Sequence, residues 1–165
     1  MVKKKIGSIF FIAIIGLSTL VSPLMQPITT SAHEGDHEDG EVHKLLVVTH
    51  TAGYRHASIE DIKDVMPQWG EENGFEVTFV DGTDQAREGD LSLDEAFTPE
   101  FLADYDAIMF GNTTMNFGTE EQRDAIIDFV ENGGGFIGAH AAIDTGYDWP
   151  EYGEMVGAYF DSHPW

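Results

Sequence analysis

The stretch Gly133-Gly134-Gly135-Phe136-Ile137-Gly138-Ala139-His140-Ala141-Ala142 restricts the fold of this chain more than any other. Three successive glycines close a helix, and the four residues after them form a run short and apolar enough for a central strand of a parallel sheet. The run ends on a histidine set among small residues. Ligands in open α/β sheets bind beyond the carboxyl ends of the strands, so His140 is predicted to stand at that rim. Its small neighbours permit a sharp strand-to-helix turn of the kind that elsewhere exposes a reactive Ser or Cys. The same pattern also reads as an ordinary histidine satisfied at a strand end; Asp144 and Asp148-Trp149-Pro150 downstream weigh towards chemistry.

Strand and helix signals alternate from Lys44 onward. Leu45 to Thr49 suits a buried first strand, and Thr51 to His56 is a loop leading to Ser58, the expected N-cap of a helix that runs towards Asn73-Gly74. Pro67 is expected to kink that helix or split off its last turn. Phe75, Val77 and Phe79 alternate as a second strand. Asp81 to Phe97 is acidic and irregular, an excursion from the pattern. Thr98-Pro99-Glu100 opens a short helix with a cap and a proline at its first position. Ala107 to Phe110 is a third strand, Thr119-Glu120-Glu121-Gln122 a capping box for a helix reaching Asn132, and Phe136 to Ala139 the fourth strand. The alternation implies an α/β fold, a doubly wound and mostly parallel sheet with helices on both faces. After the fourth strand only a helix near Pro150 to Val156 remains, so the sequence is expected to be truncated after that strand, with a sheet edge left uncovered.

Met1 to Ala32 has a basic start at Lys3, Lys4 and Lys5, an apolar run from Ile6 to about Leu20, and a close on Thr30-Ser31-Ala32. This order is that of a secretory signal peptide cleaved after Ala32, and an uncleaved anchor is the alternative. Residues 33–43 hold three histidines among five carboxylates and almost nothing that packs. A solvated, disordered leader is the expectation, with divalent-metal binding by the tract as the other reading. Five cations then face thirty anions in the processed chain, a formal charge of −25. Nucleic acid and anionic membranes are poor partners for it, and no stable membrane association is expected after cleavage. The chain has no cysteine, which removes disulfides, thiolate metal sites and a cysteine nucleophile. Neither a cofactor nor a resident metal is predicted for the domain at 44–165.

Three loops follow strand ends and are expected to meet on one rim: Thr51 to His56, Asn112 to Asn116, and His140 to Trp149. They offer His56, His140, Arg55, Asp144, Asp148 and the rings of Tyr54, Tyr147 and Trp149. Aromatic faces beside carboxylates and amides suit a sugar; the alternative is that Tyr54, Trp149 and Tyr152 cover the core.

At these residues the chain resembles the ThuA-like (trehalose-utilisation) family, a branch of the class I glutamine amidotransferase-like fold. The resemblance rests on Thr51-Ala52-Gly53-Tyr54-Arg55-His56 with Ser58, Glu72 to Val77, Gly133 to Ala142, Asp148-Trp149-Pro150 with Tyr152, Val156 to Phe160, and His163-Pro164, and it spans Lys44 to Trp165. It implies a flavodoxin-like sheet, action on sugars such as disaccharides or 3-keto-glycosides, and association with other carbohydrate-related modules. The related amidotransferases carry a cysteine nucleophile at the elbow, where this chain has His140, so glutamine hydrolysis through a thioester is excluded by residue type. In the enzyme reading His140 is a general acid or base, Asp144 or Asp148 orients it, and His56 and Arg55 polarise or hold an oxygen of a sugar or keto-sugar. Gly53, Tyr54, Arg55, Asp148, Trp149 and His163 are then assigned to substrate binding. The alternatives are a rim that only binds a small carbohydrate, and an inactive truncated product.

Overall fold

A computed structural model describes residues 42–164. The expected signal segment, and the expected leader apart from Val42 and His43, lie outside the described residues.

Four parallel strands form the sheet: β1 (His43–Val48), β2 (Phe75–Val80), β3 (Ala107–Gly111) and β4 (Gly135–Ala139), bonded in the order β2-β1-β3-β4. Leu46 of β1 lies between Thr78 of β2 and Ile108 of β3, and Gly111 of β3 pairs with Ala139 of β4. The chain therefore moves outward from β1 to β2 and returns to the other side of β1 for β3. That reversal opens a crevice at the carboxyl ends of β1 and β3, where ligands bind in doubly wound folds. β1 starts at His43, so the last leader residue belongs to the sheet.

Alternate residues of β1 point to opposite faces, and the core divides accordingly. Leu45 and Val47 pack with Met66 and Ile62 of helix α1 (Ser58–Asn73) and with Val77, Phe79 and Met109. Leu46 and Val48 pack on the other face with Ile108, Phe110, Ile126 and Tyr152. That face carries α2 (Leu93–Ala96), α3 (Pro99–Leu102), α4 (Glu120–Glu131) and α5 (Pro150–Val156). The α/β class with helices on both faces is the one the alternation implies.

Several local expectations meet a different outcome. β4 is an edge strand among the described residues, not a central one, and Ile137 on it is 46% exposed while Phe136 turns onto Phe110 and Tyr152. A short apolar run carries no mark of whether one or both faces will be covered. Ser58 is the first residue of α1 rather than its cap; Ala57 precedes the helix, and the Ser58 hydroxyl accepts a hydrogen bond from Asn112 Nδ2 at 2.8 Å. Pro67 lies within a helix that runs on to Asn73, with no last turn split off. The acidic excursion contains α2, held by a reciprocal capping box between Ser92 and Glu95. The caps at Thr98 and Thr119 form as expected: Thr98 Oγ1 accepts from Phe101 N, and Thr119 and Gln122 bond each other's backbone.

Candidate functional site

Hydrogen bonds between neighbouring loops build the rim. Thr51 bridges to Thr114, the Ala52 amide donates to the Thr114 carbonyl at 3.0 Å, and Thr114 Oγ1 donates to the Tyr54 carbonyl at 3.1 Å. On the other side the Met115 amide donates to the Asp144 carbonyl at 2.6 Å, the Gly146 amide returns a bond to the Met115 carbonyl, and the Thr113 and Thr145 hydroxyls meet at 2.8 Å. The loops after β1, β3 and β4 are thus one unit. Three non-glycine residues in the left-handed region lie in it, Asn112 (φ 60°), Met115 (φ 63°) and His140 (φ 51°). Backbone of this kind costs of order 1–3 kcal/mol per residue and persists where surrounding bonds hold it.

His140 follows Ala139 at the end of β4 and begins a 3-10 turn over His140–Asp144. Extended backbone, one left-handed residue, then a helical turn is the geometry of an elbow, and it projects the imidazole into solvent beyond the strand end. The His140 ring meets His56 at 4.7 Å between centroids and 79° between planes, and His56 meets Tyr54 in the same manner at 4.8 Å and 87°. The ladder runs from His140 to Tyr54, a residue 71% exposed. Beside it is a cavity of about 260 Å³ lined by His56, His140, Ala141, Ile143, Asp144, Phe160 and His163. A larger hollow, about 400 Å³, opens between α3 and α4 at the amino ends of β3 and β4, and no imidazole or cation lines it.

The structure therefore brings His56, His140, Asp144 and His163 to one cavity, with Tyr54 at its lip. Gly53 takes part as backbone: its amide donates to Thr114 Oγ1 at 3.3 Å, and a Cβ there would lie 2.4 Å from Met115 Cγ. Arg55 is turned away. Its guanidinium pairs with Asp81 at 3.0 Å and Glu60 at 3.2 Å and donates to the Thr49 carbonyl, so its donors bind protein groups. Asp148 pairs with Arg123 at 3.3 Å and does not line the cavity. Trp149 is 3% exposed, stacked on Phe117 and Tyr152 inside the core, which leaves no ring face for a ligand. Phe160 and Ile143 also line the cavity: Phe160 lies in the Val156 to Phe160 block that carries the resemblance but has no role assigned to it, and Ile143 is an apolar residue with no local signal. The Thr113-Thr114 pair after β3, and Thr145, organise the loops, and only their position after strand ends could have marked them.

No Lys or Arg lines the cavity, and Asp144 brings a carboxylate to it. Burial, and then the neighbouring His140, hold His56 below the usual histidine range, while Asp144 opposes the shift. The Asp144 carboxylate is occupied by the Tyr147 hydroxyl at 2.5 Å, which also lies 2.8 Å from the Phe160 carbonyl. Burial and this contact push Tyr147 up to about 12. Buried side-chain nitrogen or oxygen atoms without a hydrogen-bond partner among the described residues are His50 Nδ1, His56 Nδ1 and Asn112 Oδ1. No group of three or more metal-ligating side chains among the described residues is arranged to hold a metal ion. Chemically the site offers two touching imidazoles on an apolar-walled cavity, suited to exchanging a proton with a hydroxyl or carbonyl oxygen.

The profile of one protein family, described as ThuA, trehalose utilisation, matches residues 44–165. Among solved structures, a ThuA-like protein of Bacteroides uniformis aligns with a TM-score of 0.57 at 22% identity, covering 80% of this chain and 51% of that one. A ThuA-like protein of Parabacteroides merdae aligns with a TM-score of 0.49 at 23% identity, over 68% of this chain and 37% of that one. The first likeness shows the fold, and the chain spans about half the length of that structure. A comparison with curated proteins found no match.

Proposed function

The chain belongs to the ThuA, trehalose utilisation, family, and on that premise we propose that it is exported and processes a small neutral carbohydrate in the His56–His140 cleft. The observation that carries this reading is the pair of imidazoles, one on a left-handed elbow, in ring contact beside a cavity of one sugar's size. No Lys or Arg lines that cavity, and its carboxylate is already bonded to Tyr147. A phosphorylated or carboxylated sugar would enter without a counter-charge, whereas a neutral one needs only hydroxyl partners and apolar walls. In this reading His140 exchanges a proton with a substrate oxygen and the neutral His56 accepts a hydroxyl or passes the proton on.

One observation favours binding without turnover: Asp144 bonds Tyr147 and not an imidazole, so neither ring is oriented by a carboxylate. The variant His140→Asn distinguishes the two, since asparagine tolerates the left-handed backbone. Turnover of trehalose or a 3-keto-disaccharide should fall on the order of a hundredfold or more, with the melting temperature unchanged. Full activity in that variant would remove His140 from the reaction. Wild-type protein that binds these sugars and converts none of them would establish the binding reading instead.

A further inference from the structure

Asn112 is the first residue beyond β3, and it lines no cavity among those described above. It is 2% exposed and holds a left-handed backbone, with φ 60°, between the loops after β1 and β4. Its backbone and its side chain bond to different segments. The Asn112 amide donates to the Ala139 carbonyl at 3.3 Å, which extends the β3–β4 pairing and fixes the residue before His140. The carboxamide donates through Nδ2 to Ser58 Oγ at 2.8 Å. Ser58 begins α1, and the first turn carries that restraint back to His56. There the Ile59 amide donates to the His56 carbonyl and the Glu60 amide to the Ala57 carbonyl, both at 3.1 Å. Ala57 caps the helix without a side-chain bond, and the Ser58 hydroxyl is engaged by Asn112 instead.

Stability does not call for asparagine at this position. Glycine adopts a left-handed backbone without steric cost and would offer the same amide to Ala139. The carboxamide also leaves Oδ1 buried without a hydrogen-bond partner among the described residues, and an unpaired buried acceptor destabilises. What asparagine adds over glycine is the bond to Ser58. That bond ties the segment carrying His56 to the strand end that holds His140, and the two rings meet at 4.7 Å between centroids. His56 Nδ1 is buried without a partner of its own, so no hydrogen bond at that nitrogen orients the ring. Its placement depends on where the backbone sets it.

We infer that Asn112 is the positioning residue of the imidazole pair: its amide fixes the elbow that presents His140, its carboxamide fixes the turn that presents His56, and together they hold the two rings in contact. In this assignment Asn112 does not touch substrate. Its effect on turnover, as distinct from ring placement, rests on the carbohydrate reading above.

The test is nuclear magnetic resonance of the full chain labelled at histidine, as wild type, Asn112→Gly, Asn112→Asp and Ser58→Ala, with turnover of trehalose or a 3-keto-disaccharide measured on the same samples. Wild type should show proton cross-relaxation between the His56 and His140 rings. Asn112→Gly keeps the backbone and loses the bond, and Ser58→Ala breaks the same bond from the helix side. Both should stay folded and lose the ring-to-ring signal, and kcat should fall on the order of a hundredfold with KM little changed, as a misplaced reacting group does. Asn112→Asp tolerates the left-handed backbone and accepts from the Ser58 hydroxyl, so it should keep both signal and rate. Unchanged ring-to-ring signals in Asn112→Gly and Ser58→Ala, with only a lowered melting temperature, would overturn the assignment and leave Asn112 a structural residue. Should Asn112→Gly not fold, Ser58→Ala decides. Loss of the signals with turnover unimpaired would support the positioning role and overturn the histidine chemistry proposed above. A wild type that converts no sugar would sink the enzyme reading alone, since the ring signals judge Asn112 without a substrate.

Discussion

His140 shows how one residue can be held in an unfavourable backbone conformation by bonds made elsewhere. Its φ of 51° is maintained from both sides: the Asn112 amide donates to the Ala139 carbonyl just before it, and the Tyr152 hydroxyl donates to the Ala142 carbonyl just after it. The consequence for its neighbour is electrostatic, since two imidazoles in contact disfavour a shared positive charge. His56 is held below the ordinary histidine value by burial first and by His140 second; His50, buried beside Asp81 and Arg55, is lowered chiefly by burial. A base with a depressed native pKa binds fewer protons folded than unfolded, so stability rises with pH across the interval between the two values. The contribution is complete above the unfolded value of about 6.5 and is lost as pH falls through the lower native values. The carboxylates act further down. Burial raises Asp81, but bonds from Lys63 and Thr83 and the charges of Lys63 and Arg55 outweigh it and leave it lowered, so its contribution is lost only below the usual Asp range. Thermal melts should therefore show a falling melting temperature as pH drops from about 7 to 5.5, and a shallower fall in His56→Gln and His50→Gln. A wild-type profile flat over that interval would contradict the assignment.

At the scale of elements, the approach of α1 to the sheet depends on Gly70. A Cβ at this position would lie 2.5 Å from the Phe75 carbonyl oxygen, a backbone atom that cannot swing aside, and Gly70 also accepts the closing bond from the Gly74 amide. In an open helix Gly→Ala stabilises. Here helix and β2 must move apart, and Gly70→Ala should lower stability by about 1–3 kcal/mol in urea unfolding; a stabilised variant would show that the contact yields at no cost. Buried charges pin the same helix to the loop after β2, where Lys63 bridges Asp81 at 2.8 Å and Asp90 at 2.5 Å with almost no exposure. Such features divide what the sequence discloses from what it withholds. The capping box at Thr119, the Thr98-Pro99 start of α3 and the limits of α5 are written in adjacent residues, and they were legible. The direction of Arg55 depends on Asp81, 26 positions away, and that of Trp149 on Phe117, 32 positions away, so no local pattern could tell a sugar platform from a core ring. The same holds for β4, whose place at the edge follows from pairing with β3 alone among the described strands. His56, His140 and Asp144 were legible as a group because parallel strands deliver their loops to one end.

For the whole molecule the dominant quantity is charge. Thirty carboxylates against eight cations make a formal charge of −22, and three of those cations, Lys3, Lys4 and Lys5, precede the apolar run at the amino terminus. The remaining cations among the described residues are largely committed to internal pairs: Arg55 and Lys63 with Asp81, Arg87 with Glu60 and Asp64, Arg123 with Asp148. So large an excess of carboxylates is expected to favour solvation and to disfavour contact with anionic lipid and nucleic acid. The proposed saccharide ligand is neutral, so its binding is expected to be indifferent to this field. The amino-terminal lysines follow the opposite logic, because a positive start before an apolar run and small residues is what export machinery recognises and removes. The product recovered from culture medium should begin at His33 and carry the more acidic charge of −25. Intact-mass analysis of secreted and membrane fractions decides this. A product retaining Lys3 to Lys5 in the membrane fraction would mean that the apolar run serves as an anchor, and would place the proposed carbohydrate site at the cell surface rather than in the medium.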